Sequence, residues 1–233
     1  MSVDRPRLYP SLGRVEPRLE TLTAAQLTLW PRLVDLPPDV VLYGGTALAL
    51  RLGHRLSVDF DFFLPRSFVP GDLRRSIPLF RDAPTIQSAP DTLVVRVDEV
   101  RVAIYGVAFP ALAAPDLAYD TGIPVASLAD LGATKAKAIL DRAEMKDYVD
   151  ISALMATGMD LADMLGGATA LFGPSFNTML AIKGLTTFDD GDLPSLADEH
   201  RGRLREAVLG VGRIPVVGAR LPAILPEAST LEP

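Results

Sequence analysis

The stretch Tyr43–Phe63, YGGTALALRLGHRLSVDFDFF, decides how the rest of the chain is read. Val40, Val41, Leu42 and Tyr43 are consecutive β-formers that stop at Gly44-Gly45, and the ALALRL run that follows has strong helix propensity. The order is therefore strand, glycine turn, helix. From Ser57 to Leu64 the residues alternate, with Val58, Phe60 and Phe62 on one face and Ser57, Asp59 and Asp61 on the other. That spacing predicts a second strand.

The same stretch carries chemistry. A backbone that turns at Gly44 and Gly45 and opens a helix at Thr46 aims unpaired N–H groups and the positive dipole end at one point. A phosphate suits that point, although a plain tight connection uses the same residues. Asp59 and Asp61 share a strand face with Cα atoms about 6.6 Å apart. At an effective dielectric of ~20 and a charge separation of ~6 Å their repulsion is on the order of 3 kcal/mol, so between bulky apolar neighbours the pair calls for a cation. Hard carboxylate oxygens favour magnesium, which takes one or two carboxylates together with substrate phosphates. A solvated face with two surface aspartates is the plain alternative. With the glycine turn upstream, a phosphate cradle beside a metal-binding strand explains the pattern better, and phosphoryl transfer requires that arrangement.

Outward from this segment, the 233 residues carry 23 basic and 29 acidic side chains, a formal charge of −6, so no global field draws the chain to nucleic acid and any such contact is local. The absence of cysteine excludes disulfides, thiolate nucleophiles and cysteine-ligated metals. The two histidines, His54 and His200, are far apart in sequence, and His54 in its polar turn is expected at the surface. The start lacks a signal pattern, and the apolar stretch Val40–Leu50 is far shorter than the roughly 20 residues of a membrane span. A soluble, cytoplasmic protein without a membrane role is expected.

Pro6, Pro10 and Pro17 predict an extended arm over 1–20. A core follows over 21–125, with a helical run from Thr23 that Pro31 ends or kinks and a hairpin over Asp91–Val107 that turns at Asp98-Glu99. Residues 126–210 read as helical: Ser127 caps a run continuing through Met155, and Phe172–Ile182 and Leu196–Leu209 read as further helices. The tail, 211–233, has no period. The expected class is α/β (α+β), a small mixed sheet flanked by helices with a helical C-terminal half.

All four lysines fall in that half, and three of them, Lys135, Lys137 and Lys146, lie within twelve residues. On a helix Lys135 and Arg142 share a face and can reach one anion together, whereas Lys137 is rotated away by about 200°. Asp147 and Asp150 occupy the first turn of the next helix, where acids complement the dipole. A solvated charged face remains the alternative for the basic residues.

Together these blocks resemble the AbiEii/AbiGii-type abortive-infection toxins, nucleotidyltransferases of bacterial toxin–antitoxin systems. The resemblance rests on two small residues after a hydrophobic one, a 13-residue gap (46–58), acid–hydrophobic–acid at 59–61, the wording RLSVD at Arg55–Asp59, and K-x-K-A-x-x-x-R-x-x-x-K-D-Y-x-D at Lys135–Asp150. It covers roughly residues 25 to 210. It implies Gly44, Gly45 and Thr46 at the triphosphate, Ser57 in reach of phosphate, and Asp59 and Asp61 on Mg²⁺. It further implies Lys135 as a phosphate or nucleotide-binding catalytic residue, Arg142 and Lys146 in support, and Asp147 as an additional polar or catalytic group. The implied activity is transfer of a nucleotide from an NTP to a hydroxyl of tRNA or protein, with a cognate antitoxin as partner. One departure matters: relatives of this fold often carry a third carboxylate on a later strand, where this chain offers Arg101, Ala103 and Tyr105. Either Asp147 replaces it, one metal suffices, or the protein is a non-catalytic nucleotide-binding relative. A metal-dependent phosphotransferase is a further alternative.

Overall fold

The computed structural model describes residues 13–219. The chain enters through β1 (Arg14–Val15) and α1 (Ala24–Leu29). α1 opens with a capping box: the Thr23 hydroxyl accepts from the Gln26 N–H, and the Gln26 side chain accepts from the Thr23 N–H. Pro31 then turns the continuation into a 3-10 segment, Trp30–Asp35. The elements β2 (Val41–Tyr43), α2 (Gly44–Leu52), β3 (Asp59–Leu64), α3 (Pro70–Ser76), β4 (Thr85–Ala89), β5 (Thr92–Val97), β6 (Val100–Gly106), β7 (Asp116–Ala118) and β8 (Pro124–Val125) follow. The rest is helical: α4 (Leu128–Asp141), α5 (Met145–Ala156), α6 (Leu161–Phe172), α7 (Thr178–Gly184) and α8 (Asp198–Gly210).

The strands form one mixed sheet in the order β1-β7-β8-β2-β3-β6-β5-β4. β3 is central to it. On one side β2 runs antiparallel with Tyr43 opposite Asp61; on the other β6 runs parallel, with Arg101 opposite Asp59 and Ala103 opposite Asp61. A parallel pair needs a crossover, which the segment from α3 to β5 provides. Alternation along β3 sends Phe60, Phe62 and Leu64 into the core, where Trp30 stacks on Phe60 at 5.9 Å, and leaves Asp59 and Asp61 on the opposite face. The helical half reaches that side of the sheet through α2, against which α4 and α5 pack. Glycines let α4 and α6 approach closely, Gly132 against Met164 and Gly167 against Ala133.

The mixed α/β class expected from the sequence is the one observed, and several local expectations need correction. Val58 precedes β3 and is 60% exposed, because the return from Gly53 has no strand neighbour until Asp59. The hairpin forms as β5 and β6, but β4 extends it, and β7 and β8 were too short to carry a period. The run from Ser127 breaks at Arg142 into α4 and α5. α6 was missed because its sequence, LADMLGGATALF, is apolar nearly all round, and the helix expected from Phe172 starts only at Thr178. Arg14 and Val15, expected in an arm, pair with β7. The remainder of the arm before residue 13 and the tail after 219 lie outside the described residues. No helix among the described residues is long and apolar enough to cross a membrane.

Candidate active site

The polar face of β3 and β6, the start of α2 and the adjoining ends of α4 and α5 enclose a cavity of about 560 Å³. Of the residues singled out in the sequence, Gly44, Gly45, Ser57, Asp59, Asp61, Lys135, Arg142 and Lys146 line it; Thr46 and Asp147 do not. The two glycines have separate local reasons. Gly44 sits at φ +70°, and a Cβ there would lie 3.1 Å from Asp61 Oδ2 in a backbone conformation that L side chains avoid. A Cβ on Gly45 would lie 2.5 Å from Arg55 Nη2 and 3.1 Å from Ser57 Oγ. The Thr46 side chain, expected at the triphosphate, is buried instead: its hydroxyl donates to the Asp59 carbonyl and shares a 2.8 Å bond with the Ser57 hydroxyl. It therefore ties α2 to the start of β3.

Asp59 and Asp61 face the cavity together, and the cation the pair calls for is present as an arginine. Arg101 Nη1 donates to Asp61 Oδ1 at 2.9 Å and lies 3.8 Å from Asp59 Oδ2. Burial raises the Asp59 carboxyl above its ordinary value, Arg101 opposes that rise, and the neighbouring Asp61 adds to it. No group of three or more His, Asp or Glu side chains suited to a metal occurs among the described residues. Two carboxylates beside a glycine whose Cβ would crowd Asp61 still fit a hard divalent ion that completes its shell with substrate oxygens and water.

The helical wall is a closed ion network. Lys135 Nζ sits 2.6 Å from both Asp147 Oδ1 and Asp150 Oδ2, with its side chain only 6% exposed. Asp147 Oδ2 also accepts from Arg142 Nε at 2.8 Å, so Lys135 and Arg142 do converge on one anion, but that anion is a buried carboxylate of the protein. Asp150 accepts from Arg55 Nε at 2.6 Å and Nη2 at 2.8 Å, and lies 2.7 Å from His54 Nε2. Burial alone would raise both carboxyls. For Asp147 the hydrogen bond from Arg142 and the charge of Lys135 outweigh it, and for Asp150 the bonds from His54 and Arg55 do so more strongly, holding both below the usual carboxylate range. Asp147, singled out as an additional polar or catalytic group, thus stands buried behind the cavity wall, bonded to Lys135 and Arg142. Lys137 points away and pairs with Asp141.

Sequence reasoning missed three participants. His54, expected at the surface, has a side chain only 11% exposed because Asp150 holds it. Arg55, read only as part of the RLSVD wording, bonds the adjacent Leu56 carbonyl and also reaches a carboxylate 95 positions away. Arg101 was noted only for not being an acid. The Asp147/Asp150 spacing, two acids one turn apart on a helix, was the available signal for a shared cation, but it does not say which cation.

A model of the nucleotidyl transferase AbiEii toxin family, type IV toxin–antitoxin system, matches residues 29–111 and 107–214. An uncharacterised protein of Aquifex aeolicus (strain VF5), aq_aa25, is 35% identical over 129 residues, 54% of this chain and 63% of that protein, so the chain spans under two thirds of that relative's length. Among solved structures, MenT4, the nucleotidyltransferase toxin Rv2826c from Mycobacterium tuberculosis H37Rv, superposes with a TM-score of 0.53 at 16% identity, covering 79% of this chain and 83% of that one; this likeness speaks to the fold.

Proposed function

The chain belongs to the AbiEii nucleotidyltransferase toxin family, and from that premise we propose that it transfers a nucleotide from an NTP to a hydroxyl of an RNA or protein acceptor. One observation carries the reading: the glycine-led start of α2, the Asp59–Asp61 pair and the cations of α4 and α5 meet in a single cavity. The N-terminal N–H groups of α2 and the Ser57 hydroxyl receive phosphate oxygens. Arg142 and Lys146, whose side chains are about half exposed, add accessible positive charge, while Lys135 keeps the wall positive from its buried place between two carboxylates. Phe63 and Tyr105, which also line the cavity, offer a base an aromatic surface. A Mg²⁺ held by Asp59 and Asp61 would supply charge neutralisation on the triphosphate. The acceptor hydroxyl attacks the α-phosphorus and gives its proton to water, the bridging P–O bond to the β-phosphate breaks, and the cations of the wall stabilise charge growing on the departing pyrophosphate. A cognate antitoxin is the protein partner this family membership favours.

The test is incubation of the protein with cellular RNA, Mg²⁺ and NTPs labelled at either the α or the γ position. Label in RNA or protein from the α position alone supports nucleotidyl transfer. Label from the γ position alone makes the protein a phosphotransferase, and NTP binding with neither label transferred makes it a non-catalytic binder.

A further inference from the structure

β6 presents Arg101, Ala103 and Tyr105 on the cavity face, in register with Asp59, Asp61 and Phe63 of β3. Ala103 leaves open the space beside Asp61, and the Arg101 side chain runs along the strand to fill it. Nη1 bonds Asp61 at 2.9 Å while Nη2 donates to the Tyr105 hydroxyl at 2.8 Å, which fixes the guanidinium over Ala103 and beside both carboxylates. A guanidinium stays charged at any working pH. The carboxylates therefore keep a covalently attached cation whenever no other partner draws it off.

Resting on the reading of Asp59 and Asp61 as metal carboxylates, we propose that Arg101 is a tethered counter-cation that competes with a divalent ion for them, so that metal binds weakly until a polyphosphate draws the guanidinium away. Two cations cannot sit against the same carboxylate oxygens without strong mutual repulsion. Phosphate oxygens match the guanidinium fork at least as well as a single carboxylate contact does, and only side-chain torsions need to change, because the backbone of β6 is held between β3 and β5. The device couples the two ligands: nucleotide arrival frees the carboxylates, and the metal then joins the bound nucleotide.

The experiment titrates Mn²⁺ alone, read by electron paramagnetic resonance, into wild type, Arg101→Met, Tyr105→Phe and Asp59→Asn, and separately titrates inorganic tripolyphosphate into the first two in EDTA. Arg101→Met should bind Mn²⁺ about tenfold more tightly than wild type, the size expected when one charge-assisted hydrogen bond no longer competes. It should bind tripolyphosphate more weakly, whereas a merely structural role would weaken both. Tyr105→Phe, which loosens the guanidinium without removing it, should tighten Mn²⁺ by a smaller factor. If Asp59→Asn abolishes Mn²⁺ binding but Arg101→Met and Tyr105→Phe leave it at the wild-type affinity, the competition is refuted and the metal site stands. If Asp59→Asn binds Mn²⁺ as well as wild type does, the metal reading falls and takes the proposal with it. Should Arg101→Met fail to fold, Tyr105→Phe decides alone, and an unchanged affinity there overturns the proposal.

Discussion

The sheet wall and the helical wall of the cavity hold similar charges in opposite ways. On the sheet, Asp59, Asp61 and Arg101 are each partly exposed, and one guanidinium serves two carboxylates at 2.9 and 3.8 Å. On the helices, Asp147 and Asp150 are fully buried, and four side chains, Lys135, Arg142, Arg55 and His54, saturate them. Buried charges are costly to uncouple, whereas exposed ones are screened and exchangeable. The helical wall is thus a rigid frame that also carries charge, and the sheet wall is the part free to change partners. Substitutions on the first should register in stability, and on the second in ligand binding.

The largest stability effect should come from Lys135. Lys135→Met leaves Asp147 and Asp150 buried without their shared cation, so the loss should be about 3–5 kcal/mol, measured by urea unfolding. A loss below about 1 kcal/mol would mean that the network does not hold the helical wall together.

The two walls should also respond oppositely to pH. Asp147 and Asp150 have folded values below the ordinary 3.8, so their stabilisation is present above that value and is lost as pH falls through the folded ones. Asp59 is raised, so its contribution is present below 3.8 and is lost as pH rises through its folded value. Melting temperature followed from pH 7 downwards should therefore drop less steeply in Asp150→Asn than in wild type. Asp59→Asn should melt at or slightly above wild type at pH 7. Parallel wild-type and Asp150→Asn curves would break the contrast.

A smaller effect is expected at Gly45. Gly45→Ala pushes against Arg55 Nη2, the far end of a flexible side chain that holds Asp150, so it should destabilise by about 1 kcal/mol, in the range of mild overpacking. The smallest belongs to Lys137→Ala, which removes an i,i+4 pair with Asp141 on the outer face and should change stability by about 0.5 kcal/mol or less and nucleotide affinity not measurably. Calorimetry on the two variants side by side checks both.

What could be read from the chain in advance follows the range of the interactions. The glycine turn and the paired acids of β3 depend on local spacing and reach the same cavity, and Lys135 and Arg142 reach it too, although Arg142 does so as the extended residue that ends α4 and not from a shared helix face. The Arg55–Asp150 and His54–Asp150 bonds join positions 95 and 96 apart and exist only because α2 packs against α5, which no periodicity encodes. Thr46 fits the turn signature by position, yet its side chain turns inward because the Ser57 hydroxyl and the Asp59 carbonyl lie beneath it. Arg101 was visible as a residue but not as a partner, since its role depends on β3 and β6 being parallel neighbours in one register.

The central claim is that the cavity is a nucleotide site whose sheet wall meets the metal-bound triphosphate. Titration calorimetry of Mg²⁺–NTP into wild type and Asp59→Asn, with melting temperatures recorded on the same samples, tests it most directly. The account predicts that Asp59→Asn keeps its melting temperature and loses Mg²⁺-dependent NTP binding. An Asp59→Asn protein that binds Mg²⁺–NTP as tightly as wild type would contradict it.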